Sequence, residues 1–383
     1  MKTPSDELFR FRFFTQIRFG AKTSLNLAKY VQEFGLKRLI LVFDQGATAA
    51  GPAKETYEYI KRYIDVLPLQ GPKAEPEIDE LEILRSHSEK FKADGVIGLG
   101  GGATIDMAKG LAAVLPNSKP AAEYQGFDLL EKPALPCITV PTLFGSGTEV
   151  TPSAVMINRK KNVKGGINGE FVFPKLGVID PELAMTAPLH LIGATGLDAL
   201  VHGMEGYVAK CSTPLSRMFS QQGSRMVLSA LSSLALDTSS YQAMENLAFG
   251  SLLSVTGLMH SESGLCGAIS YPLGVYFGVP HGLGGGLCMP AVIRWNSENG
   301  CNLYGDLIPG CFDHGKNAAQ KLACNIQDLI KVFKLRGLKT FGIKSDHVDT
   351  LAKEVFKFKG VLDMNPITIT EHRIIAKLIM SAF

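Results

Sequence analysis

Near Asp180-Pro181 the sequence changes texture, and that change limits the folds open to it. Before it, apolar runs of strand type alternate with helical patterns. Arg38 to Phe43 reads as a strand, Lys54 to Ile64 as a helix, Val66-Leu67 as a short strand and Glu77 to Lys92 as a charged helix. Gly95 to Leu99 is a buried strand, Ala103 to about Leu115 a helix, and Cys137 to Val140 another strand. Such alternation predicts right-handed βαβ units on a mainly parallel sheet, an α/β fold. After it, strand signals vanish and helical patterns run at roughly 191–209, 215–235, 241–262, 282–294, 317–335 and 346–359. At 383 residues the chain exceeds what one core usually supports. Two domains are therefore expected, 1–182 and 183–383. Ligands of open parallel sheets bind beyond the carboxyl ends of the strands, so the expected active site is a cleft between the sheet and the helical half.

Composition excludes several classes of partner. Lysines and arginines nearly balance acids, giving +3, and no basic block exceeds Arg159-Lys160-Lys161, so nucleic acid is not an expected partner. No apolar run approaches the roughly 18 residues of a membrane helix. Met1 to Phe14 lacks the pattern of a signal peptide, and a cytoplasmic protein is expected. Seven scattered cysteines (137, 211, 266, 288, 301, 311 and 324) include no CxxC pair and read as reduced thiols.

Chemistry is first suggested by Gly98-Leu99-Gly100-Gly101-Gly102-Ala103-Thr104-Ile105-Asp106, which ends a strand and opens a helix. Glycines there admit a pyrophosphate close to the backbone, and the helix N-terminus favours its charge. A tight turn without a ligand reads the same way. The loop Pro141 to Val150 mixes glycines with hydroxyls that suit a ribose, a phosphate or a nicotinamide amide, or that simply cap a helix through Ser146 or Thr148. Asp44 follows the strand 38–43, where a carboxylate can bind a ribose diol and repel a 2′-phosphate, or can serve only a turn.

In the helical half, Asp198 and His202 are four residues apart, and on a helix they share one face, as a metal pair requires. A hydrogen-bonded surface pair has the same spacing. His281, in Val279-Pro280-His281-Gly282 ahead of a glycine-rich helix, is a third candidate ligand or a helix-entry histidine.

These segments, in this order, resemble the iron-containing (group III) alcohol dehydrogenase family. Its GGGS-type turn is similar to Gly100 to Ala103 followed by Asp106-Met107-Ala108-Lys109, and its PTTAGTGSEVT-type loop to Pro141 to Pro152. Its D-x-x-x-H helix is similar to Asp198 to His202, and its P-L-G and P-H-G motifs to Pro272-Leu273-Gly274 and Pro280-His281-Gly282. The resemblance implies a Rossmann-like, NAD-binding N-terminal domain, an all-helical C-terminal domain as in dehydroquinate synthase, and a divalent metal, iron or zinc. Carried over, Gly100, Gly101, Gly102 and Asp106 belong to the pyrophosphate turn, Thr142 and Thr148 to the nicotinamide half, and Lys164 to the cofactor ribose. Asp44 becomes the acid that selects NAD. Asp198, His202 and His281 become metal ligands.

One implied ligand is missing. The family's V-H-x-x-x-H-P-L-G segment is here Cys266-Gly267-Ala268-Ile269-Ser270-Tyr271-Pro272-Leu273-Gly274, with Gly267 in the place of the ligating histidine and Tyr271 in that of the second. Metal binding is therefore expected to be weak or absent. His260 lies about two helical turns, roughly 10 Å, before Gly267 and is a poor substitute. The resemblance implies hydride transfer between NAD(H) and a small polar alcohol or aldehyde, with Tyr271, His202 or His281 supplying the proton, and a homodimer is expected. The alternatives are an enzyme like dehydroquinate synthase or glycerol-1-phosphate dehydrogenase, or a dinucleotide-binding protein without catalysis.

Overall fold

The computed structural model describes residues 9, 11–310 and 315–383. It divides into two compact units. Among the described residues one comprises Phe13–Ala187, and the other those from Pro188 to Phe383 together with Phe9, Phe11 and Arg12.

The first unit contains β1 (Gln16–Phe19), α1 (Leu27–Glu33), β2 (Arg38–Phe43), α2 (Gly51–Tyr63), β3 (Asp65–Gln70) and α3 (Ile78–Ser88). There follow β4 (Gly95–Gly100), α4 (Gly102–Val114), β5 (Gly126–Phe127), β6 (Cys137–Pro141), β7 (Ser153–Asn158), β8 (Val163–Asn168) and β9 (Leu176–Ile179). Six strands form a wholly parallel sheet in the order β1-β9-β6-β4-β2-β3. Both faces are covered, which is why β2 and β4 are nearly continuous apolar runs. Leu39 and Leu41 of β2 pack with Leu27, Tyr30, Ala53 and Ile60 of α1 and α2. Ile40 and Val42, pointing the other way, pack with Leu81 of α3 and Met107 and Leu111 of α4. Each fully buried Leu or Ile contributes about 1.5–3 kcal/mol. The doubly covered sheet thus follows from the period-two geometry of a strand.

A second sheet escapes the sequence reading. β7 and β8 pair antiparallel, and β8 pairs parallel with β5. The hairpin turns at Arg159 to Asn162, where Asn162 takes a left-handed φ of 50°. β8 reads Val-Lys-Gly-Gly-Ile-Asn, too poor in β-branched and aromatic residues to signal a strand.

The second unit is helical: α5 (Leu189–Val208), α6 (Pro214–Leu236), α7 (Tyr241–Leu258), α8 (Leu265–Phe277), α9 (His281–Glu298), α10 (Lys316–Val332), α11 (Val348–Phe356), α12 (Lys359–Met364) and α13 (His372–Met380). α5 is its centre, with every residue from Gly196 to Val208 buried. α8 is hard to see in the sequence because Pro272 interrupts it. His260, just past α7, stacks on Phe11 and bonds the Arg12 backbone, fastening the N-terminal segment to this unit.

Among the described residues no helix is long and apolar enough to cross a membrane. Cysteines 137, 211, 266, 288, 301 and 324 are free thiols, and Cys311 lies outside the described residues.

Candidate active site

In the first unit the carboxyl ends of β2, β4 and β6 lie on one edge of the parallel sheet. The Asp44 amide donates to the Leu99 carbonyl at 2.9 Å, and the Thr142 amide to the Gly100 carbonyl at 3.0 Å. Asp44, Gly100 to Gly102 and Thr142 are therefore neighbours. A Cβ at Gly100 would lie 2.7 Å from that of Asp44 and 2.8 Å from that of Thr104, so only glycine lets the three meet. Gly101 is the N-cap of α4, and no side chain caps the first turn. Unsatisfied N–H groups at that end are what an anion binds. Asp44 uses Oδ1 to accept from the amides of Gly46 (2.8 Å) and Ala47 (3.1 Å). Its Oδ2 takes no part in this turn.

The loop after β6 folds against α4. Thr148 Oγ1 donates to Asp106, and burial pushes the Asp106 carboxyl up to about 6 against the pull of Lys109, of that hydroxyl and of Lys164. Lys164, on β8, pairs with Glu75 at 2.5 Å. The structure thus brings Asp106, Thr148 and Lys164 into one polar cluster. Lys109, which closes the motif stretch Asp106-Met107-Ala108-Lys109, also belongs to this cluster.

In the second unit, three ligand atoms of Asp198, His202 and His281 lie within 4.8 Å of one another. Asp198 Oδ1 is 3.6 Å from His202 Nε2 across one turn of α5. His281 begins α9, and the start of α9 reaches α5 because residue 282 is glycine: a Cβ there would lie 2.5 Å from that of Asp198. Ser270 Oγ on α8 donates to the Gly267 carbonyl at 2.7 Å and is 2.7 Å from His281 Nδ1. The hydroxyl proton being spent on the carbonyl, the serine accepts from Nδ1–H. Nε2 is then the lone-pair nitrogen of His281, the one a cation takes. One carboxylate and two imidazoles suit a divalent iron or zinc ion.

Tyr271 follows Ser270 on α8. Its ring meets His281 edge-on at 5.3 Å and lies 5.7 Å from the ring of Phe358. A Cβ on Gly267 would fall 2.1 Å from Ser263 Oγ and 3.3 Å from Glu205 Oε2. His260 is engaged elsewhere, its Nδ1 2.8 Å from the Thr256 carbonyl.

Sequence reasoning missed Glu205, three residues beyond His202. Its buried carboxylate accepts from the amides of Gly264 (2.8 Å) and Cys266 (2.5 Å) and from Ser263 Oγ (3.1 Å), capping α8 in place of a local residue. Burial raises its pKa, and these donors oppose the rise. The available signal was an acid on the same face of α5 as the Asp198-His202 pair.

Comparison with known proteins bears on both units. The profile described as iron-containing alcohol dehydrogenase matches residues 15–181, and that of the Fe-containing alcohol dehydrogenase family, C-terminal, matches 192–383. A sulfoacetaldehyde reductase of Bilophila wadsworthia (strain 3_1_6) is 28% identical over 312 residues, covering 79% of this chain and 81% of the relative. An NAD-dependent methanol dehydrogenase of Bacillus methanolicus is 27% identical over 339 residues, 85% of this chain and 88% of the relative. The crystal structure of a 1,3-propanediol oxidoreductase superposes with a TM-score of 0.90 at 26% identity, covering 98% of this chain and all of its own.

Proposed function

The chain belongs to the iron-containing alcohol dehydrogenase family, and from that membership we propose that it transfers a hydride between NAD(H) and a small polar aldehyde or its alcohol. What carries the reading is the convergence of Asp198, His202 and His281, with Ser270 behind His281. Relatives that reduce an aldehyde or oxidise an alcohol match both units, and they do not favour the dehydroquinate synthase-like or non-catalytic alternatives.

When bound, NADH would supply a hydride from nicotinamide C4 to the carbonyl carbon of the aldehyde, whose oxygen would take up a proton. Asp198, His202 and His281 would hold a divalent iron or zinc ion, which would supply Lewis acidity toward that oxygen. Ser270 holds the imidazole of His281 in orientation. The turn Gly100 to Gly102 and the N-terminus of α4, with Asp106 in the same turn, would bind the pyrophosphate, with Thr142 and Thr148 toward the nicotinamide half and Lys164 toward the ribose. Tyr271, beside His281, delivers the proton.

Oxidation of NADH across a panel of small aldehydes tests the whole reading. Turnover with at least one polar aldehyde is expected, and NADH binding without turnover on any of them overturns it. General acids typically contribute about 10²–10⁴-fold, so Tyr271→Phe is expected to depress turnover at least tenfold, with NADH affinity intact. Full activity in that variant removes the tyrosine from the mechanism.

Asp44 should make NADH the preferred cofactor, since its carboxylate meets a 2′-phosphate with like charge. A preference of roughly tenfold or more is expected from such a contact. Calorimetry with NADH and NADPH measures it, and Asp44→Gly should narrow the gap. Tighter binding of NADPH by the unmodified protein would contradict the assignment.

A further inference from the structure

Lys109 is 1% exposed, on the buried face of α4. An ammonium in that position is tolerable only if its three donors find partners. Lys109 has five acceptors, all from the segment after β6: the carbonyl (2.9 Å) and hydroxyl (3.1 Å) of Thr148, the carbonyl (2.7 Å) and hydroxyl (3.1 Å) of Thr151, and the carbonyl of Ser153. One side chain thus gathers three residues of this segment onto α4. The same stretch carries Thr148, bonded to Asp106, and Ser146, whose Oγ would be 2.7 Å from a Cβ on Gly102.

Charge accompanies the geometry. Glu149 in the loop is buried and Asp106 on α4 half-buried near Lys109, and Glu149 Oε1 has no hydrogen-bond partner. With all three groups ionised their sum is one negative charge, and without the lysine proton it is two, beside a helix end that must receive a pyrophosphate.

We propose that Lys109 is a positioning residue for the dinucleotide: its ammonium clamps the loop after β6 to α4 and offsets Asp106 and Glu149, so its loss weakens NAD(H) binding. The proposal rests on the NAD(H)-dependent function above. It has a direct consequence for pH. Burial depresses the Lys109 ammonium to about 8, against the opposing pull of Asp106, Cys137 and Glu149. Of the titratable groups facing it, Asp106 and Glu149 lie below that value and Cys137 well above it. Asp106 and Glu149 are pushed up only to about 6 and 7, and Cys137 is pushed up to about 12. Lys164, which faces Asp106 from β8, is held by Glu75. Between pH 7.5 and 9.5, therefore, the cluster loses chiefly the Lys109 proton, the last of the Glu149 proton leaving at the lower end of the interval.

NADH titrations by fluorescence over that interval test the clamp. The unmodified protein is expected to lose about tenfold in affinity from pH 7.5 to 9.5, the order expected for one partly shielded charge near a phosphate. Lys109→Met should be about tenfold weaker already at pH 7.5 and flat across the interval. A merely structural lysine would lower the melting temperature without moving the pH profile. A flat profile in the unmodified protein, or Lys109→Met with unaltered affinity and profile, overturns the proposal. If Lys109→Met does not fold, the unmodified profile decides alone. Failure of the unmodified protein to bind NADH at pH 7.5 overturns the cofactor reading and the clamp together. Binding without pH dependence overturns only the clamp.

Discussion

Replacing His202 by alanine is expected to lower kcat/KM for aldehyde reduction about a thousandfold, which corresponds to the several kcal/mol that Lewis-acid polarisation supplies. Asp198 and His281 alone would leave two ligand atoms for a divalent ion, fewer than the three protein ligands of catalytic zinc sites. A chelator should produce the same loss in the unmodified protein, reversed by adding ferrous iron or zinc. NADH affinity should stay constant, because the glycine turn and its loop belong to the other unit. Elemental analysis and single-turnover kinetics together check it. A His202→Ala variant that retains its turnover, or chelation without effect, sinks the metal-assisted reading and leaves proton donation by Tyr271 as the principal chemistry.

A fourth ligand should be restorable at Gly267. Three ligands leave the unmodified protein with less than one metal per chain after purification, as its expected state. Zinc sites with four ligands bind with apparent energies of about 10–16 kcal/mol, so one added imidazole is worth on the order of a hundredfold in affinity. Gly267→His alone will gain less. Its Cβ would lie 2.1 Å from Ser263 Oγ, which must swing away and give up its bond to Glu205. A lost hydrogen bond of that kind costs about 1 kcal/mol or more. Adding Ser263→Ala removes the obstructing hydroxyl, while the amides of Gly264 and Cys266 still hold Glu205. Metal titration of the double variant should therefore show the larger rise. An unchanged metal affinity in a folded double variant would mean that position 267 does not face the triad, and the ligand carried over from the family would be withdrawn.

Much of this was legible in the chain itself. Period-two apolar runs specify β2 and β4, whose alternate side chains enter two different cores. A spacing of four on α5 already puts Asp198 and His202 on one face. Both are local facts, set by the repeat of a strand or a helix, and neighbours in sequence suffice to determine them. The β7–β8 hairpin was not legible, because β8 gains its place from pairing with β5 and β7 rather than from its own propensity.

The chemistry of the site depended on contacts that no spacing announces. His281 reaches Asp198 only because Gly282 leaves room for it against α5, and Ser270 holds its ring from a third helix. Glu205 looks like an exposed helix acid in the sequence, yet it caps α8 from 59 residues away. Lys109 closes a motif stretch in the sequence, but nothing there says that its acceptors lie 39 to 44 residues away. Sequence determined which faces were apolar and which turns were open. Only the tertiary structure decided which charges were buried together, because burial and pairing of a charge are set by chain segments that sequence periodicity leaves uncorrelated.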